Sequence, residues 1–140
     1  MIEIKQKVVN KDVGDCFRAC VASILEVNDI DSLPNPHGSN WIGSWFNALN
    51  EIGLRLGWDR AAIWRDGYWI ASVPSLNFKN VSHSIVMKGN KVEFDPSTKK
   101  TYRKGRVLFG KNIVTFGYWI ELSDISKFKR AIFDNKSFLF

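Results

Sequence analysis

A change in hydrophobic period constrains the fold of this chain more than any other feature. Residues 15–27 place small and apolar side chains at steps of three and four, which predicts an amphipathic helix. Residues 40–56 repeat that pattern and predict a second helix. After Gly57 the period becomes two and aromatic residues become frequent, as in strands. Helices followed by a block of strands predict an α+β fold with an antiparallel sheet.

The second half of the chain predicts four strands and then a closing helix, at 67–73, 83–88, 91–95, 112–122 and 123–133. Gly89-Asn90 lies between the second and third strands and is typical of a tight hairpin turn. Such a hairpin returns His83 and Asp95 to the same end of the ladder. We expect the two residues to lie almost opposite each other, with side chains that meet across the strands.

Length and composition are those of one globular unit. The chain has 140 residues, 45% of them hydrophobic and 24% charged, and we expect a single domain over 1–140. Its two cysteines are four residues apart, a spacing that suits a disulfide poorly within a helix. No apolar signal segment and no stretch of ~20 apolar residues is present. A cytoplasmic protein without a membrane partner is therefore expected.

The formal net charge of +6 comes with basic clusters at 99–100, 103–106 and 127–130. Such clusters could bind an acidic partner, including nucleic acid. They are equally typical of solvated turns and an exposed helix face. Because no nucleic-acid motif accompanies them, we prefer the second interpretation and do not expect a nucleic-acid partner.

Cys16 stands at the predicted start of the first helix. Unpaired N–H groups and the helix dipole lower a thiol pKa at that position, which favours the nucleophilic thiolate. We expect Asp15 to cap the helix with its carboxylate and Cys20, one turn further, to lie in the core. His83 would be the base and Asp95 would orient its ring, which predicts a Cys–His–Asp catalytic triad.

Other residues complete the predicted site. The backbone N–H of Cys16, with the side-chain amide of Asn10 or Gln6, would stabilise an oxyanion. A set of polar and aromatic residues is assigned to a possible substrate cleft: Asp15, Phe17, His37, Trp41 and Trp45.

A zinc site is the alternative use of the same side chains, from Cys16, Cys20, His37 and His83. Their spacing matches no usual zinc motif. We therefore expect no metal, and the predicted chemistry needs no organic cofactor.

The stretch "NKDVGDCFRACVASIL", with a later His that opens a strand and an Asp-Pro that ends the next, resembles the double-glycine leader peptidases. The matching positions are Asn10, Asp15, Cys16, Ala19, Cys20, His83, Asp95 and Pro96. The family usually has Gln at the first position and often Gly after the nucleophile, where this chain has Phe17. The stretch "GDCFRAC" is also similar to segments of small phage-encoded proteins.

This resemblance implies a papain-like cysteine protease fold, with an N-terminal nucleophile helix packed on an antiparallel sheet. It also implies a cysteine hydrolase: a peptidase, amidase or acyl transferase acting on a peptide or another amide. The alternative is a catalytically weak or inactive papain-fold binding protein of phage origin. Such a protein would block or sequester a host factor in the host cytoplasm.

Overall fold

The fold is known from a computed structural model, which describes residues 1–9, 14–60, 67–108 and 113–134. Within these ranges it contains three α-helices, a short 3-10 turn at Ile30–Ser32, and five strands. In chain order the helices and strands are α1 (Cys16–Leu25), α2 (Trp41–Glu51), β1 (Leu56–Arg60), β2 (Tyr68–Pro74), β3 (Ser82–Lys88), β4 (Lys91–Phe94), β5 (Phe116–Ile120) and α3 (Leu122–Asp134).

The strands form one antiparallel sheet in the order β1-β5-β2-β3-β4. The predicted α+β class and antiparallel sheet are therefore confirmed. Strands β2, β3 and β4 and helix α3 agree with their predicted bounds to within one residue. The strand predicted at 112–122 is shorter, since β5 covers only Phe116–Ile120, and residue 112 lies outside the described residues.

The predicted extent of the second helix is wrong at its C-terminal end. Helix α2 ends at Glu51, and Leu56 already begins β1. Gly53 has φ +81°, a left-handed conformation that ends helices readily because glycine has no Cβ. Leu54 and Leu56 continue the apolar pattern past this break, which is why periodicity alone extended the helix too far.

The sheet has a buried cluster on each face. Helix α1 packs over one face, which we call the helix face, and all three helices add buried side chains to the main core there, with Ile70 and Val86 of the sheet. Ala71 and Ile85 contribute to a second cluster on the far face. Neighbouring residues of β2 and β3 thus alternate between the two faces, as the strand pleat requires.

Strand β4 contains a bulge that breaks this alternation. Met87 pairs with Val92, but Val86 pairs with Phe94, so Glu93 is one extra residue without a partner across the ladder. Val92 is buried in the far-face cluster and Phe94 in the helix-face cluster. Two residues that a regular strand would place on one face therefore lie on opposite faces.

This bulge determines how Asp95 meets His83. Glu93 shifts the register by one residue before Phe94, and beyond this bulge Nε2 of His83 lies 2.7 Å from Oδ1 of Asp95. The predicted hairpin at Gly89-Asn90 and the predicted meeting of His83 with Asp95 are both observed, and only the extra residue Glu93 was not expected. In a hairpin without this residue, the strand alternation would place the two side chains on opposite sides of the ladder.

Among the helices in the described ranges, none combines the length and apolar character needed to cross a membrane.

Candidate active site

Cys16 is the first residue of α1 and is partly exposed, whereas Cys20, one turn further, is fully buried in the core. The two cysteines therefore have the different environments that the sequence predicts. Burial raises the pKa of the Cys20 thiol well above its usual value, so Cys20 stays protonated. At the first helical position, the Cys16 N–H has no intrahelical acceptor.

Asp15 occupies the N-cap position, but its predicted side-chain cap is wrong. Its carboxylate makes no hydrogen bond to the first turn of α1. It accepts instead from the backbone N–H groups of Lys7 (3.2 Å) and Val8 (3.0 Å) and from the guanidinium of Arg18 (3.3 Å). The N-terminal segment passes alongside α1 and supplies two donors. Asp15 is 1% exposed and does not line the cavities described below.

The sulfur of Cys16 interacts with the ring of His83. Burial raises the pKa of the Cys16 thiol, but hydrogen bonding and charge from His83, aided by hydrogen bonds from Ser84, outweigh it and lower the pKa overall. The thiolate is thereby stabilised at a site from which water is largely excluded. Ser84 is a site residue that the sequence interpretation did not identify.

His83 lies between the thiol and Asp95. Its Nε2 atom is 2.7 Å from Oδ1 of Asp95, which leaves Nδ1 as the nitrogen available to Cys16. Burial disfavours the charged ring, but the hydrogen bonds to Asp95 and Cys16 outweigh this effect and raise the pKa of His83 to about 9. The lowered thiol pKa and raised imidazole pKa favour a thiolate–imidazolium pair.

Asp95 is held by backbone donors on both sides. Its Oδ1 also accepts from the N–H of Ser97 at 2.9 Å, and its Oδ2 accepts from the N–H of Tyr102 at 2.8 Å. Asp95 is 4% exposed, so its carboxylate has little contact with water. Two fixed backbone donors orient the carboxylate that in turn orients the His83 ring.

The N-terminal segment secures the loop that carries Asp95. The ammonium of Lys5 donates to the carbonyls of Asp95 (3.1 Å) and Ser97 (3.2 Å). The backbone N–H of Gln6 donates to the carbonyl of Pro96 at 2.8 Å. Nothing in the spacing of the sequence indicated this role, because Lys5 is 90 residues from Asp95 along the chain.

Gln6 is the predicted oxyanion amide that the structure brings to the site. It is 7% exposed and lines a small cavity together with Cys16 and His83. Its Nε2 donates to the carbonyl of Val8 at 3.0 Å, and its Oε1 is buried without a hydrogen-bond partner in the described part of the chain. Asn10, the other predicted amide, lies outside the described residues.

Two cavities meet at Cys16. The larger, which we call the aromatic cavity, has a volume of about 290 Å³. Four of the five residues predicted for the cleft line it: Phe17, His37, Trp41 and Trp45. The smaller, which we call the histidine cavity, has a volume of about 30 Å³ and is lined by His83, Gln6 and the loop residues Ser75, Asn77 and Phe78.

The wall of the aromatic cavity is a cluster of aromatic rings that contact one another. The ring of Phe17 lies 5.2 Å from Trp41 and 5.4 Å from both Trp45 and Tyr118, between ring centres. These edge-to-face and tilted contacts are favourable aromatic geometries. Tyr118 was missed as a cleft residue, because its position in an alternating strand suggested only a core role.

The zinc alternative finds no support in the described ranges, where no three His, Cys, Asp or Glu side chains are grouped as metal ligands. Cys20 is buried in the core, and His37 lines the aromatic cavity, whereas His83 lines the histidine cavity.

Comparisons of the chain with protein-family models, with curated proteins and with solved structures give no match.

Proposed function

We propose that this protein is a papain-like cysteine hydrolase that cleaves an amide-type bond. The observation that carries the proposal is the placement of the His83 ring, with one nitrogen on the Asp95 carboxylate and the other side on the Cys16 sulfur. Cysteine hydrolases use such a row, in which a base contacts the nucleophilic thiol and a third group orients the base; here these would be His83, Cys16 and Asp95. A nucleophile at the start of a helix that packs on β3 supports the papain-like arrangement.

Acylation begins with attack of the Cys16 thiolate on the carbonyl carbon of the substrate. The carbonyl oxygen becomes an oxyanion, for which the Cys16 N–H and the second amide hydrogen of Gln6 are the candidate donors. The C–N bond then breaks while His83 transfers its proton from Nδ1 to the departing nitrogen. An amine leaves, and the acyl group remains on the sulfur as a thioester.

Deacylation uses the same residues in reverse. Neutral His83 takes a proton from a water molecule, and the resulting hydroxide attacks the thioester carbonyl. The C–S bond breaks, the carboxylic acid departs, and the thiolate–imidazolium pair forms again. The net reaction is amide plus water to acid plus amine, and an amine in place of water would give acyl transfer.

A binding protein with the same site is the second candidate. One observation favours it: the Gln6 Nε2 already donates to Val8, so only one of its hydrogens is left for an oxyanion. A weakened oxyanion hole reduces turnover by about 10²–10³ without preventing attack by the thiolate. In this second candidate, the protein is phage-encoded and acts by binding and blocking a host factor.

Reaction with p-nitrophenyl acetate separates the two candidates. We expect a rapid burst of one nitrophenolate per chain, acetylation of Cys16 rather than Cys20 by mass spectrometry, and then steady turnover. Cys16→Ser should abolish the burst, and Cys20→Ser is the matched control that should keep it. Acetyl-Cys16 that persists without turnover would favour the binding protein. Equal, slow modification of both cysteines would contradict the proposed enzyme.

A further inference from the structure

The floor of the aromatic cavity is made of small polar residues on the helix face of the sheet. Ser72 and Ser84 are paired across β2 and β3, and Ser82 lies two residues before Ser84. The next pair of β2 and β3 on the same face is Ile70 with Val86, and both of these side chains are buried in the core. The cavity exists because the apolar pattern changes to serine directly beside Cys16.

The aromatic cavity continues into a longer groove away from the thiol. This groove has a volume of about 600 Å³ and shares Trp41, Tyr118, Ser72 and Ser82 with the cavity. Its outer part is formed by the apolar side chains of Ile42, Phe46, Trp58 and Phe116. Trp58 is 52% exposed, so its ring adds apolar surface to the groove that a bound molecule can reach.

Within the described ranges, Cys16 and His37 are the only titratable groups besides Tyr118 that line the cavity or the groove. Among the described residues, no Lys, Arg, Asp or Glu contributes to either lining, although 24% of the chain is charged. Burial also raises the pKa of Tyr118, so that phenol stays neutral. A charged substrate group placed here would lose its hydration without gaining a partner, which is strongly unfavourable.

The position of His83 gives the cleft a direction. His83 lines the histidine cavity and does not line the aromatic cavity. Because His83 must deliver its proton to the departing nitrogen, the leaving amine has to occupy the histidine cavity. The acyl part of the substrate then extends into the aromatic cavity and the groove. At about 30 Å³ the histidine cavity is far smaller than the aromatic cavity of about 290 Å³, so the leaving amine has much less room than the acyl part.

We propose that the substrate is an amide with a bulky, uncharged acyl part, aromatic or aliphatic, and a small leaving amine such as ammonia or a glycine-sized residue. This inference rests on the proposed function, because it takes Cys16 as the nucleophile and His83 as the proton donor. The bond that breaks is the C–N bond between these two parts. Water supplies the hydroxyl that stays on the acid and the proton that leaves with the amine.

The acyl side is tested with chloromethyl ketones, which alkylate the nucleophile and place only the acyl part in the cleft. N-acetyl-Leu-Phe chloromethyl ketone should inactivate Cys16 at least about tenfold faster than the matched Asp and Lys compounds, since apolar pockets discriminate by about 10–200-fold. Equal or faster reaction of the Asp or Lys compound would overturn the proposal.

The leaving-group side is tested with amides that share the acyl part. N-acetyl-Leu-Phe-NH₂ and N-acetyl-Leu-Phe-Gly-NH₂ should be hydrolysed with higher kcat/KM than N-acetyl-Leu-Phe-Trp-NH₂. Preference for the tryptophan compound would contradict the assignment of the small cavity to the amine.

Substitutions in the groove test whether its side chains cause the preference for an apolar acyl part. The measured quantity is the rate of Cys16 alkylation by N-acetyl-Leu-Phe chloromethyl ketone divided by its rate of alkylation by iodoacetamide, which corrects for thiol reactivity. In Trp58→Ala this ratio should fall several-fold. Ser72→Leu, which fills the floor, should lower the same ratio about tenfold, within the range for filled apolar pockets. Val107→Ala is the control, because Val107 is 49% exposed and lines neither cavity nor groove. Unchanged ratios in both groove variants would overturn the acyl-side assignment.

Iodoacetamide distinguishes the two levels of failure. If it does not label Cys16 faster than Cys20, the proposed function itself fails. If Cys16 is labelled selectively but the Phe, Asp and Lys ketones react alike, only the substrate inference fails.

Discussion

His83 and Asp95 meet at the end of the β3–β4 ladder, past a bulge in which Glu93 adds one residue between the hairpin turn and Asp95. The bulge shifts the register from Met87–Val92 to Val86–Phe94 and moves Phe94 to the opposite side of the ladder from Val92. A single unpaired residue therefore brings the base and its orienting carboxylate within 2.7 Å.

Deletion of Glu93 should disconnect Asp95 from His83. A regular hairpin would turn Asp95 to the opposite side of the ladder from its present one, away from His83, and we expect the rate of p-nitrophenyl acetate turnover to fall by about 10²-fold or more. Glu93→Ala keeps the bulge and should retain most of the activity. The ion pair that it removes, with Lys104, is long at 4.0 Å and partly exposed, and such pairs contribute little to stability. Circular dichroism checks that both variants fold. Full activity of a folded deletion variant would contradict the role of the bulge.

Asp95→Asn should change the titration of His83, and it also gives up one of the two backbone hydrogen bonds from Ser97 and Tyr102, because Asn has one acceptor oxygen. The neutral amide stabilises imidazolium less than the carboxylate does, so the pKa of His83 should fall below its value of about 9. The pKa of Cys16 should rise with it, because the two groups interact. NMR titration of the His83 ring measures the first change. An unaltered His83 titration would show that Asp95 does not hold the ring.

Asp15→Ala should destabilise the protein through the N-terminal segment. The variant leaves the N–H groups of Lys7 and Val8 without their buried acceptor, with an expected loss of about 2–4 kcal/mol in the free energy of unfolding. Asp31→Ala removes an exposed partner of Lys7 and is the matched control, with a much smaller expected effect. Urea denaturation measures both. Similar losses in the two variants would contradict the structural role of Asp15.

The pH dependence of stability tests the coupling of Cys16 and His83. The folded pKa of His83 is raised from 6.5 to about 9, so its stabilisation is complete below 6.5 and is lost as the pH rises through 9. The folded pKa of Cys16 is lowered from 9.0, so its stabilisation is complete above 9.0 and is lost as the pH falls through its folded pKa. Between the folded pKa of Cys16 and pH 9, a rise in pH therefore strengthens the Cys16 contribution to stability and weakens the His83 contribution.

Above the folded pKa of Cys16 and below pH 9, the two effects offset each other, so the wild-type free energy of unfolding should change less with pH than either group alone would cause. In Cys16→Ser only the part of the His83 effect that comes from Asp95 remains, and stability relative to wild type should decrease as the pH rises above the folded pKa of Cys16. Denaturation series at several pH values measure the difference. Parallel curves for the two proteins would contradict the coupling.

Local patterns predicted much of this fold and part of its site. Turn chemistry at Gly89-Asn90 and period-two alternation placed β2, β3 and β4 correctly, and the start of α1 placed Cys16 at a helix N-terminus. Glu93 gave no signal of a bulge, since no residue preference marks the position. The contacts of Lys5 and Asp15 with distant backbone groups depend on how the N-terminal segment packs, which no local pattern encodes.

The residues of the cleft could also be predicted only in part from local sequence patterns. The aromatic residues at 17, 41 and 45 were recognisable as possible cleft residues, but the serines at 72, 82 and 84 looked like ordinary strand positions. Their meaning depends on the pairing of β2 with β3 and on the approach of α1 to that row.

The pH dependence of Cys16 alkylation by iodoacetamide tests the central claim most directly. Wild-type protein should react at a rate that rises with an apparent pKa clearly below 9.0, and His83→Gln should move that pKa upward, because the imidazolium that stabilises the thiolate is gone. Cys20→Ser isolates the signal of Cys16. An apparent pKa at or above 9.0 that is the same in wild type and His83→Gln would contradict the thiolate–imidazolium pair.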